Sequence, residues 1–490
     1  MELLKNYIGG SWVESKEKNT VNVVDPSSQD ILAKVPHGTN TVSDVQCAIE
    51  SAFEAYQDWR NVPVMKRVQP LYHLKVLLEQ NIESLAHTIT MECGKTLAES
   101  RGEIQRAIEN VEVACGTPVL MQSEFSENIA SGIDEFMIRQ PLGVCACISP
   151  FNFPGMIPFW FLPYAVATGN TFILKPSEKV PLTMMKVFEL IDQLDLPKGV
   201  VNLVHGGKDS VDELLTNPIV KAISFVGSTK IAKYIYSTGA AHGKRVQAQG
   251  GAKNPIVVLP DADLDMSVRI IIDSVYGCAG QRCLAASNII TVGGNDKIKE
   301  ALYEKAKARI TGNGLDERVE MGPVITPESY ARVSQLIDQG VKEGGNLLLD
   351  GRNAKVLGFE KGNFINPTIL QNLPLNGELI KTEIFGPVMS LIELDTVDTA
   401  LEFINSGKYG NMACLFTSSG ANARKFRSQA NAGNIGINIG VAAPMAQFPF
   451  SGWNDSFFGD LHGQGRHAIE FFTQTKVVIE RWPKEWSRKF

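Results

Sequence analysis

From residue 144 onward, short apolar runs rich in β-branched residues alternate with segments of helical periodicity. The runs include VCACI (144–148), TFIL (171–174), KAISFV (221–226) and RVQA (245–248). Because parallel neighbouring strands need a crossover connection, strands that alternate with helices predict βαβ units and a mainly parallel sheet covered on both faces. We therefore predict a doubly wound α/β domain, which is the strongest constraint on the fold of this chain.

The same alternation starts again in the second half of the chain. Its runs are PIVVL (255–259), NIITV (288–292), VMSLIEL (388–394), ACLF (413–416) and NIGIN (434–438). A chain of 490 residues exceeds what one hydrophobic core usually holds. We therefore expect two α/β lobes of comparable size with a cleft between them.

Two further regions flank these lobes. Residues 42–115 have mostly amphipathic helical periodicity, so we expect them to pack as helices on one lobe. The stretch EFFTQTKVVIERW (470–482) is typical of a strand that reaches away from the core. An exposed strand near a terminus is a natural edge for oligomerisation.

Composition and charge exclude several classes of function. A net charge of −6 with scattered Lys and Arg argues against a nucleic-acid partner. The most apolar span, PFWFLPYAVA (158–167), is too short and too interrupted by proline to cross a bilayer. The seven histidines show no spacing that would seat a metal, so we predict none. Eight sparse cysteines without a CxxC pair, and an amino-terminal stretch without a signal peptide's apolar core, favour a cytoplasmic protein.

Two strand ends carry residues suited to a dinucleotide, although the sequence has no GxGxxG fingerprint. Lys175 and Glu178 follow the TFIL run, where an ammonium and a carboxylate could bind ribose hydroxyls. The carboxylate would repel a 2′-phosphate, which favours NAD over NADP. Ser228 and Thr229 follow KAISFV and begin a helix, where an anion is stabilised. Taken alone, Lys175 and Glu178 are better explained as a surface ion pair, and Ser228 and Thr229 as an ordinary helix cap.

The stretch GCAGQRCLAAS (277–287) places Arg282 directly before Cys283. Free cysteine is among the most buried residue types and usually acts as a small hydrophobe. Taken alone, Cys283 is therefore better explained by packing than by chemistry, and its role depends on the rest of the chain.

Six motifs occur in an order and at spacings that resemble the aldehyde dehydrogenase superfamily. They are PFNFP (150–154), LKPSE (174–178), FVGST (225–229), GQRC (280–283), EIFGPV (383–388) and PFSGW (449–453). The resemblance covers nearly the whole chain and implies two doubly wound α/β lobes, one for NAD and one for catalysis, with a small β arm in a dimer or tetramer. The domain limits that it implies are 1–119 with 141–250 for NAD binding, 251–465 for catalysis, and 120–140 with 466–490 for the arm.

By this resemblance, Cys283 is the nucleophile that attacks an aldehyde carbon. Asn152 would hold the developing oxyanion together with the backbone N–H of the nucleophile. An amide fixed in a dry cleft suits this task, because it stabilises charge that arises only in the transition state. The implied contacts to the NAD riboses, pyrophosphate and nicotinamide involve Phe151, Lys175, Glu178, Ser228, Glu383 and Phe385.

One departure from the superfamily pattern narrows the reaction. Hydrolytic members carry a glutamate in a motif of the form ELGGK, whereas AQGGAKNP (248–255) places Gln249 there. An amide cannot take a proton from water near neutral pH, so the thioacyl enzyme can survive until the thiol of CoA attacks it. Together, AQGGAKNP, GEIQR (102–106) and GQRC resemble the motifs of the CoA-acylating branch of the superfamily. That branch converts methylmalonate and malonate semialdehydes to propionyl-CoA and acetyl-CoA with loss of CO₂.

The substrates of that branch carry a carboxylate, and the positions of Arg106 and Arg282 are associated with its recognition or with CoA-dependent turnover. Arginine suits this because its planar fork meets a carboxylate with two parallel hydrogen bonds. An i,i+3 ion pair with Glu103 explains Arg106 about as well. Arg282 has no such local partner, and a cation beside a thiol lowers its pKa. We therefore favour Arg282 as the ligand-binding arginine.

Two alternatives stay open. One is a hydrolytic NAD-dependent semialdehyde dehydrogenase that releases a free acid with another group activating water. The other is a non-catalytic relative, which the intact Cys283, Asn152 and Glu383 argue against. One methyl group in a pocket is worth only about 1–3 kcal/mol, so no motif separates malonate from methylmalonate semialdehyde.

Overall fold

The computed structural model describes residues 2–294 and 296–482. Residues 1, 295 and 483–490 lie outside this description, and so does the end of the arm segment predicted at 466–490. The strands, in chain order, are β1 (Asn6–Ile8), β2 (Ser11–Val13), β3 (Thr20–Val24), β4 (Ile31–Pro36), β5 (Phe125–Ala130), β6 (Ile133–Pro141), β7 (Val144–Ile148), β8 (Thr171–Lys175), β9 (Val201–Leu203), β10 (Val220–Val226), β11 (Arg245–Gln249), β12 (Asn254–Val258), β13 (Ala286–Val292), β14 (Asn346–Leu349), β15 (Thr368–Gln371), β16 (Val388–Leu394), β17 (Tyr409–Gly410), β18 (Met412–Phe416), β19 (Asn434–Ile437), β20 (Trp453–Asn454), β21 (Phe457–Phe458) and β22 (Thr473–Arg481).

The helices connect and cover these strands. In chain order they are α1 (Thr41–Trp59), α2 (Val64–Arg67), α3 (Gln69–Gln80), α4 (Ile82–Cys93), α5 (Leu97–Cys115), α6 (Thr117–Leu120), α7 (Leu162–Thr168), α8 (Leu182–Ile191), α9 (Lys208–Thr216), α10 (Thr229–Ala241), α11 (Leu264–Tyr276), α12 (Asp296–Lys307), α13 (Pro327–Lys342), α14 (Glu378–Lys381), α15 (Val397–Asn405), α16 (Gly420–Gln429) and α17 (Gly465–Phe471). The 3₁₀ turns are Ile157–Trp160 and Gly277–Gly280.

The first lobe is built on a sheet with the strand order β2-β1-β9-β8-β7-β10-β11-β21. The central strands from β9 to β11 run parallel, and β1 and β21 pair with them antiparallel. Side chains alternate across a strand, so Val144 and Ala146 of β7 pack with α1 and α10, while Cys145 and Cys147 enter the core shared with α5 and α7. Burial on both faces explains why this strand is apolar throughout.

The second lobe has a sheet with the order β14-β15-β16-β13-β12-β18-β19. Its strands from β15 to β19 run parallel, and only β14 is antiparallel among the described strands of this sheet. The predicted fold class, two doubly wound α/β lobes with a small β arm, is confirmed. The helices predicted within 42–115 are α1 to α5, and they pack on the first lobe.

The arm is a sheet with the order β22-β6-β5. The predicted strand at 470–482 is wrong for its first residues, because Glu470 and Phe471 belong to α17. Ala468, Ile469 and Phe471 bury the apolar face of that helix in the core, which holds it on the lobe. The strand therefore begins only at Thr473.

Candidate active site

The two lobes present opposite ends of their parallel strands to one another. In the first lobe, Asn152 follows β7, Ser228 follows β10 and Gln249 ends β11, so these residues share the carboxyl edge of the sheet. In the second lobe, Cys283 precedes β13 and Glu383 precedes β16, at the amino edge. The carboxyl edge of a parallel sheet is where α/β folds bind ligands, and here the second lobe faces that edge with its own functional side chains.

A left-handed turn leads into the nucleophile. Cys278, Ala279 and Gly280 have φ values of 50°, 53° and 70°. Such values cost little only for glycine, and a Cβ at Gly280 would collide with the carbonyl of Gly386. The carboxylate of Glu99 accepts the N–H of Cys278 at 2.6 Å, which holds the turn from another element.

Amide side chains hold the backbone at Cys283. Its carbonyl accepts hydrogen bonds from the Nδ2 atoms of Asn254 and Asn411, each at 2.8 Å. The Nε2 of Gln249 in turn donates to Oδ1 of Asn411 at 3.2 Å. Gln249 is thus connected to Cys283 through Asn411. The side chains of Gln249, Asn411 and Asn254 are all neutral amides.

Asn152 lies beside the nucleophile loop, as the resemblance implies. Its Nδ2 donates to the carbonyl of Gln281 at 3.0 Å, and its side chain is buried. That bond uses one of the two amide hydrogens, which leaves the other for a ligand oxygen. The amide is therefore fixed by the loop that carries Cys283.

The thiol of Cys283 is protonated at neutral pH in this structure. Burial, followed by the nearby carboxylate of Glu383, raises its pKa to about 12, and Arg282 opposes this only weakly. Burial likewise raises the pKa of Glu383 to about 7, although that carboxylate accepts the N–H of Ala252 at 2.8 Å. The Glu383 carboxylate therefore favours the protonated form of the Cys283 thiol.

A cavity of about 280 Å³, here called the Cys283 cavity, contains the thiol. Arg106 and Arg282 line the same space, together with Glu99, Glu103 and Glu109 of helix α5. Its other walls are largely apolar and include Phe153, Met156, Trp160 and Phe450. The structure thus brings both predicted arginines to the nucleophile.

Arg282 has no local ion-pair partner, as the sequence analysis states, but a carboxylate distant in sequence engages it. Its Nη2 donates to Glu99 at 2.9 Å, and its Nε donates to Sγ of Cys278 at 3.2 Å. Glu99 lies 183 residues away in sequence, so no local spacing could reveal this pair. The sequence identifies Glu99 only as a member of a capping box with Thr96 at the start of α5. Arg282 therefore stabilises the turn at residues 278–280 that precedes Cys283.

The alternative interpretation, an ion pair between Arg106 and Glu103, is wrong. Arg106 pairs with Glu109 at 2.8 Å, on the other side of its helix turn. Within the described part of the chain, its hydrogen bonds, to Glu109 and to Sδ of Met445, use only Nη1. Its Nε and Nη2 are free to meet a ligand, so Arg106 is the better placed of the two arginines to bind a carboxylate.

Glu103 instead forms a buried ion pair with Lys95. Its Oε1 accepts the N–H groups of Gly155 at 2.6 Å and Met156 at 3.1 Å. These residues lie three and four positions after Asn152, immediately beyond the PFNFP segment. The pair, which the sequence analysis missed, thus supports the loop that carries the oxyanion amide.

The residues predicted to bind NAD lie at the strand ends as expected. Lys175 ends β8, and its Nζ lies 3.6 Å from a carboxylate oxygen of Glu178. Ser228 caps α10 without a side-chain capping bond, so its hydroxyl is not used by the helix. A cation–carboxylate pair and an uncommitted hydroxyl at a helix N-terminus fit a ribose diol and a diphosphate.

Two aromatic rings, one from each lobe, pack against each other near the Glu383 segment. Phe151 and Phe385 meet edge to face with centroids 5.8 Å apart. Phe385 has a φ of 53°, and it follows Glu383 in EIFGP. Backbone at Gly251 approaches the Glu383 carboxylate so closely that a Cβ there would collide with it. This arrangement fixes the Glu383 carboxylate against the backbone of Gly251 and Ala252.

In residues 2–294 and 296–482, no group of three or more His, Cys, Asp or Glu could hold a metal ion. None of the helices in that part is both long enough and apolar enough to span a membrane.

A family model described as the aldehyde dehydrogenase family matches residues 12–478. The chain belongs to the aldehyde dehydrogenase family. This confirms the family predicted from the six motifs, and the two lobes described above are those of an aldehyde dehydrogenase.

Individual relatives of this aldehyde dehydrogenase span its full length. Malonate-semialdehyde dehydrogenase 2 of Geobacillus kaustophilus is 46% identical over 483 residues, which cover 98% of this chain and 99% of the relative. The solved methylmalonate-semialdehyde dehydrogenase of Oceanimonas doudoroffii is 39% identical, with a TM-score of 0.97 and 100% of each chain covered. A Sinorhizobium meliloti protein solved as a complex with NAD has the same identity and TM-score, with 99% of each chain covered.

Proposed function

We propose that this aldehyde dehydrogenase oxidises malonate or methylmalonate semialdehyde with NAD, loses CO₂ and transfers the acyl group to CoA. The products are acetyl-CoA and propionyl-CoA. The observation that carries the proposal is the Cys283 cavity, where a thiol lies with Arg106 and Arg282 in about 280 Å³. A nucleophile for an aldehyde carbon and a cation for a carboxylate share one space sized for a small molecule.

The relatives support this substrate class. A curated relative named for malonate semialdehyde is 46% identical, and a solved relative named for methylmalonate semialdehyde is 39% identical. Both substrates carry a carboxylate two bonds from the aldehyde carbon and differ by one methyl group. Arg106 binds that carboxylate through its Nε and Nη2, while Glu109 holds its Nη1.

The chemistry begins at Cys283, whose thiolate attacks the aldehyde carbon. The free amide hydrogen of Asn152 and the backbone N–H of Cys283 bind the oxyanion that forms. Because the Glu383 carboxylate contributes to the raised pKa of the thiol, hydrogen bonds that a ligand donates to Glu383 favour the thiolate. Substrate and cofactor binding thereby activate the nucleophile.

The residues at the strand ends fit NAD. Lys175 and Glu178 bind the adenosine ribose, Ser228 a phosphate, and Glu383 with Phe385 the nicotinamide ribose and ring. Phe151 packs against Phe385 and keeps water from the reacting carbon. When bound, NAD supplies the acceptor for the hydride that leaves the aldehyde carbon, so that Cys283 is left as a thioester.

Gln249 decides how that thioester is cleaved. Water attack needs a base, and the side chains connected to Cys283 through Asn411 are neutral amides. The β-carboxylate of the acyl group leaves as CO₂, and the resulting enolate takes a proton at carbon. The thiolate of CoA then attacks the thioester carbonyl, which releases acyl-CoA and returns the Cys283 thiolate.

Substrate discrimination tests the proposal. In the wild type, we expect kcat/KM for malonate semialdehyde to exceed that for propanal, which lacks the carboxylate. Arg106→Met removes the cation and should lower kcat/KM for the semialdehyde by about 10–100-fold, because hydrogen bonds to charged groups are worth about 1.5–3 kcal/mol. The same change should leave propanal turnover within about twofold.

Two controls complete this experiment. Arg106→Lys keeps the charge and should recover part of the discrimination. Cys283→Ala should abolish NADH formation from both aldehydes. Equal loss with both aldehydes in Arg106→Met would contradict carboxylate recognition by Arg106, and wild-type turnover of propanal in preference to the semialdehyde would contradict the substrate class.

A further inference from the structure

A second cavity of about 350 Å³, here called the Lys253 cavity, lies apart from the Cys283 cavity. Consecutive residues at the start of β12 separate it from the cofactor side of the active site. Ala252 and Asn254 line the space beside Glu383, whereas Lys253 and Pro255 line the Lys253 cavity. This follows from the alternation of side chains along an extended segment, and it places the cavity behind the active site.

Two buried polar atoms on its wall have no hydrogen-bond partner among the described residues. They are Nζ of Lys253 and Oδ1 of Asn288. Asn288 is only 2% exposed, and its Nδ2 is already used by the carbonyl of Ile380 at 3.1 Å. A buried polar group without a partner destabilises the folded protein, and a charged one does so more strongly. Burial lowers the pKa of Lys253 to about 7, the Glu383 carboxylate opposes this, and an anion in the cavity would favour the ammonium form. The wall therefore presents one amine and one acceptor to whatever occupies the cavity.

The other charged groups on the wall are already bonded or stand apart. Lys381 donates to the carbonyl of Asn376 at 2.8 Å, and Glu378 accepts the hydroxyl of Thr382 at 2.6 Å. Lys408 lies over the ring of Tyr409. The uncharged part of the wall includes the polar residues Ser406, Asn411 and Asn431 and an apolar patch of Leu375, Ile380, Phe403 and Ile404. One buried amine that an anion would keep protonated, the carboxylate of Glu378 and the apolar patch favour a single negative charge on a short aliphatic chain over a phosphate dianion.

We propose that the Lys253 cavity binds a small aliphatic monocarboxylate that also carries a hydrogen-bond donor such as a hydroxyl. The carboxylate pairs with the ammonium of Lys253, the donor satisfies Oδ1 of Asn288, and the chain covers Phe403 and Ile404. Asn411 lines this cavity and also donates to the carbonyl of Cys283. The ligand therefore sits one residue from the nucleophile without entering its cavity, which is the position of an effector.

Methionine methyl groups report on the two cavities separately. Met412 lines the Lys253 cavity, and Met156 lines the Cys283 cavity. We would label the methionine methyl groups of the full chain with ¹³C, assign these two signals with Met412→Leu and Met156→Leu, and titrate with 4-hydroxybutyrate. We expect a saturable shift of the Met412 signal. 1,4-Butanediol, which has the hydroxyl but no charge, should shift it at least about tenfold more weakly.

Variants link the shift to the proposed contacts. Lys253→Met should weaken the Met412 response at least about tenfold, and Lys253→Arg should retain it. Lys381→Met, at a lysine that is bonded elsewhere, should bind as the wild type does. The methyl spectrum itself shows whether each variant is folded. A shift confined to Met156, no saturable shift of Met412, or a Met412 response that Lys253→Met preserves would overturn the proposal.

Discussion

At the scale of single residues, some side chains of the site can be identified from sequence motifs, whereas the residues that hold them in place cannot. Cys283, Asn152 and Gln249 could be named from the sequence because each stands in a motif of the family. Glu99 could not, because its contact with Arg282 depends on how α5 packs against the nucleophile loop. Arg106 could be assigned to the cavity, but its choice of Glu109 over Glu103 is set by Lys95, which occupies Glu103.

The protonation of Cys283 gives a residue-scale prediction. The Glu383 carboxylate raises the thiol pKa, so Glu383→Gln should lower that pKa and make the thiol react with iodoacetamide at lower pH. We would compare alkylation rates across pH without cofactor, in a Cys47→Ser background, because Cys47 is the exposed cysteine of the described chain. Since the pKa of Glu383 is about 7, its carboxylate is ionised at pH 9, where the difference should be clear.

The control for this prediction is Glu378→Gln, which removes a carboxylate outside the Cys283 environment and should leave the alkylation profile unchanged. An unchanged or raised midpoint in Glu383→Gln would show that burial alone sets the thiol pKa.

At the scale of elements, helix α5 forms a wall of the Cys283 cavity. Glu99, Glu103, Arg106 and Asn110 recur at spacings of three and four, so they lie on one face and all line that cavity. Its apolar residues Ile104, Ile108, Val111 and Cys115 were readable from periodicity as the face that packs in the core. Apart from Arg106, which the family resemblance identified, the polar face was not readable as part of a site, because a charged helix face is usually solvated.

The ion pair beneath this helix gives an element-scale prediction. The side chains of Lys95 and Glu103 are 2% and 0% exposed. Glu103→Leu leaves Lys95 buried without its partner and frees two backbone N–H groups near Asn152, so we expect it to lower the free energy of unfolding by about 3–5 kcal/mol. Urea unfolding at one fixed protein concentration measures this.

A double variant separates the charge from the packing. Lys95→Met with Glu103→Leu removes both charges and should cost less than the sum of the single changes. Additive losses, or a loss below about 1 kcal/mol for Glu103→Leu, would contradict a supporting role for the pair.

At the scale of the whole molecule, both parallel sheets followed from the alternation of strands and helices. The strand predicted at 255–259 is β12 at Asn254–Val258, and the run at 221–226 is β10 at Val220–Val226. The sequence did not predict that the carboxyl edge of the first sheet faces the amino edge of the second sheet, because this depends on how the two lobes pack together. The domain limits, the dimer or tetramer and the cytoplasmic location stay predictions.

The arm gives a whole-molecule prediction. Val477 and Ile479 on β22 are 54% and 66% exposed. If this strand is an oligomer contact, Val477→Glu with Ile479→Glu should reduce the assembly to monomers in sedimentation velocity, because charges would have to be buried at the contact. Leu357→Glu, at a site 94% exposed and outside the arm, should keep the wild-type assembly. Unchanged sedimentation of the arm variant would contradict the proposed contact.

The measurement that tests the central claim most directly is the acyl product formed from malonate semialdehyde with and without CoA. We expect the wild type to form acetyl-CoA, with NADH formation at least about tenfold faster when CoA is present. Gln249→Glu restores a base, and a general base contributes about 10²–10⁴-fold, so this variant should release free acid without CoA. Gln249→Met, which has no base, should not. Wild-type turnover that ignores CoA and yields free acid would contradict the account.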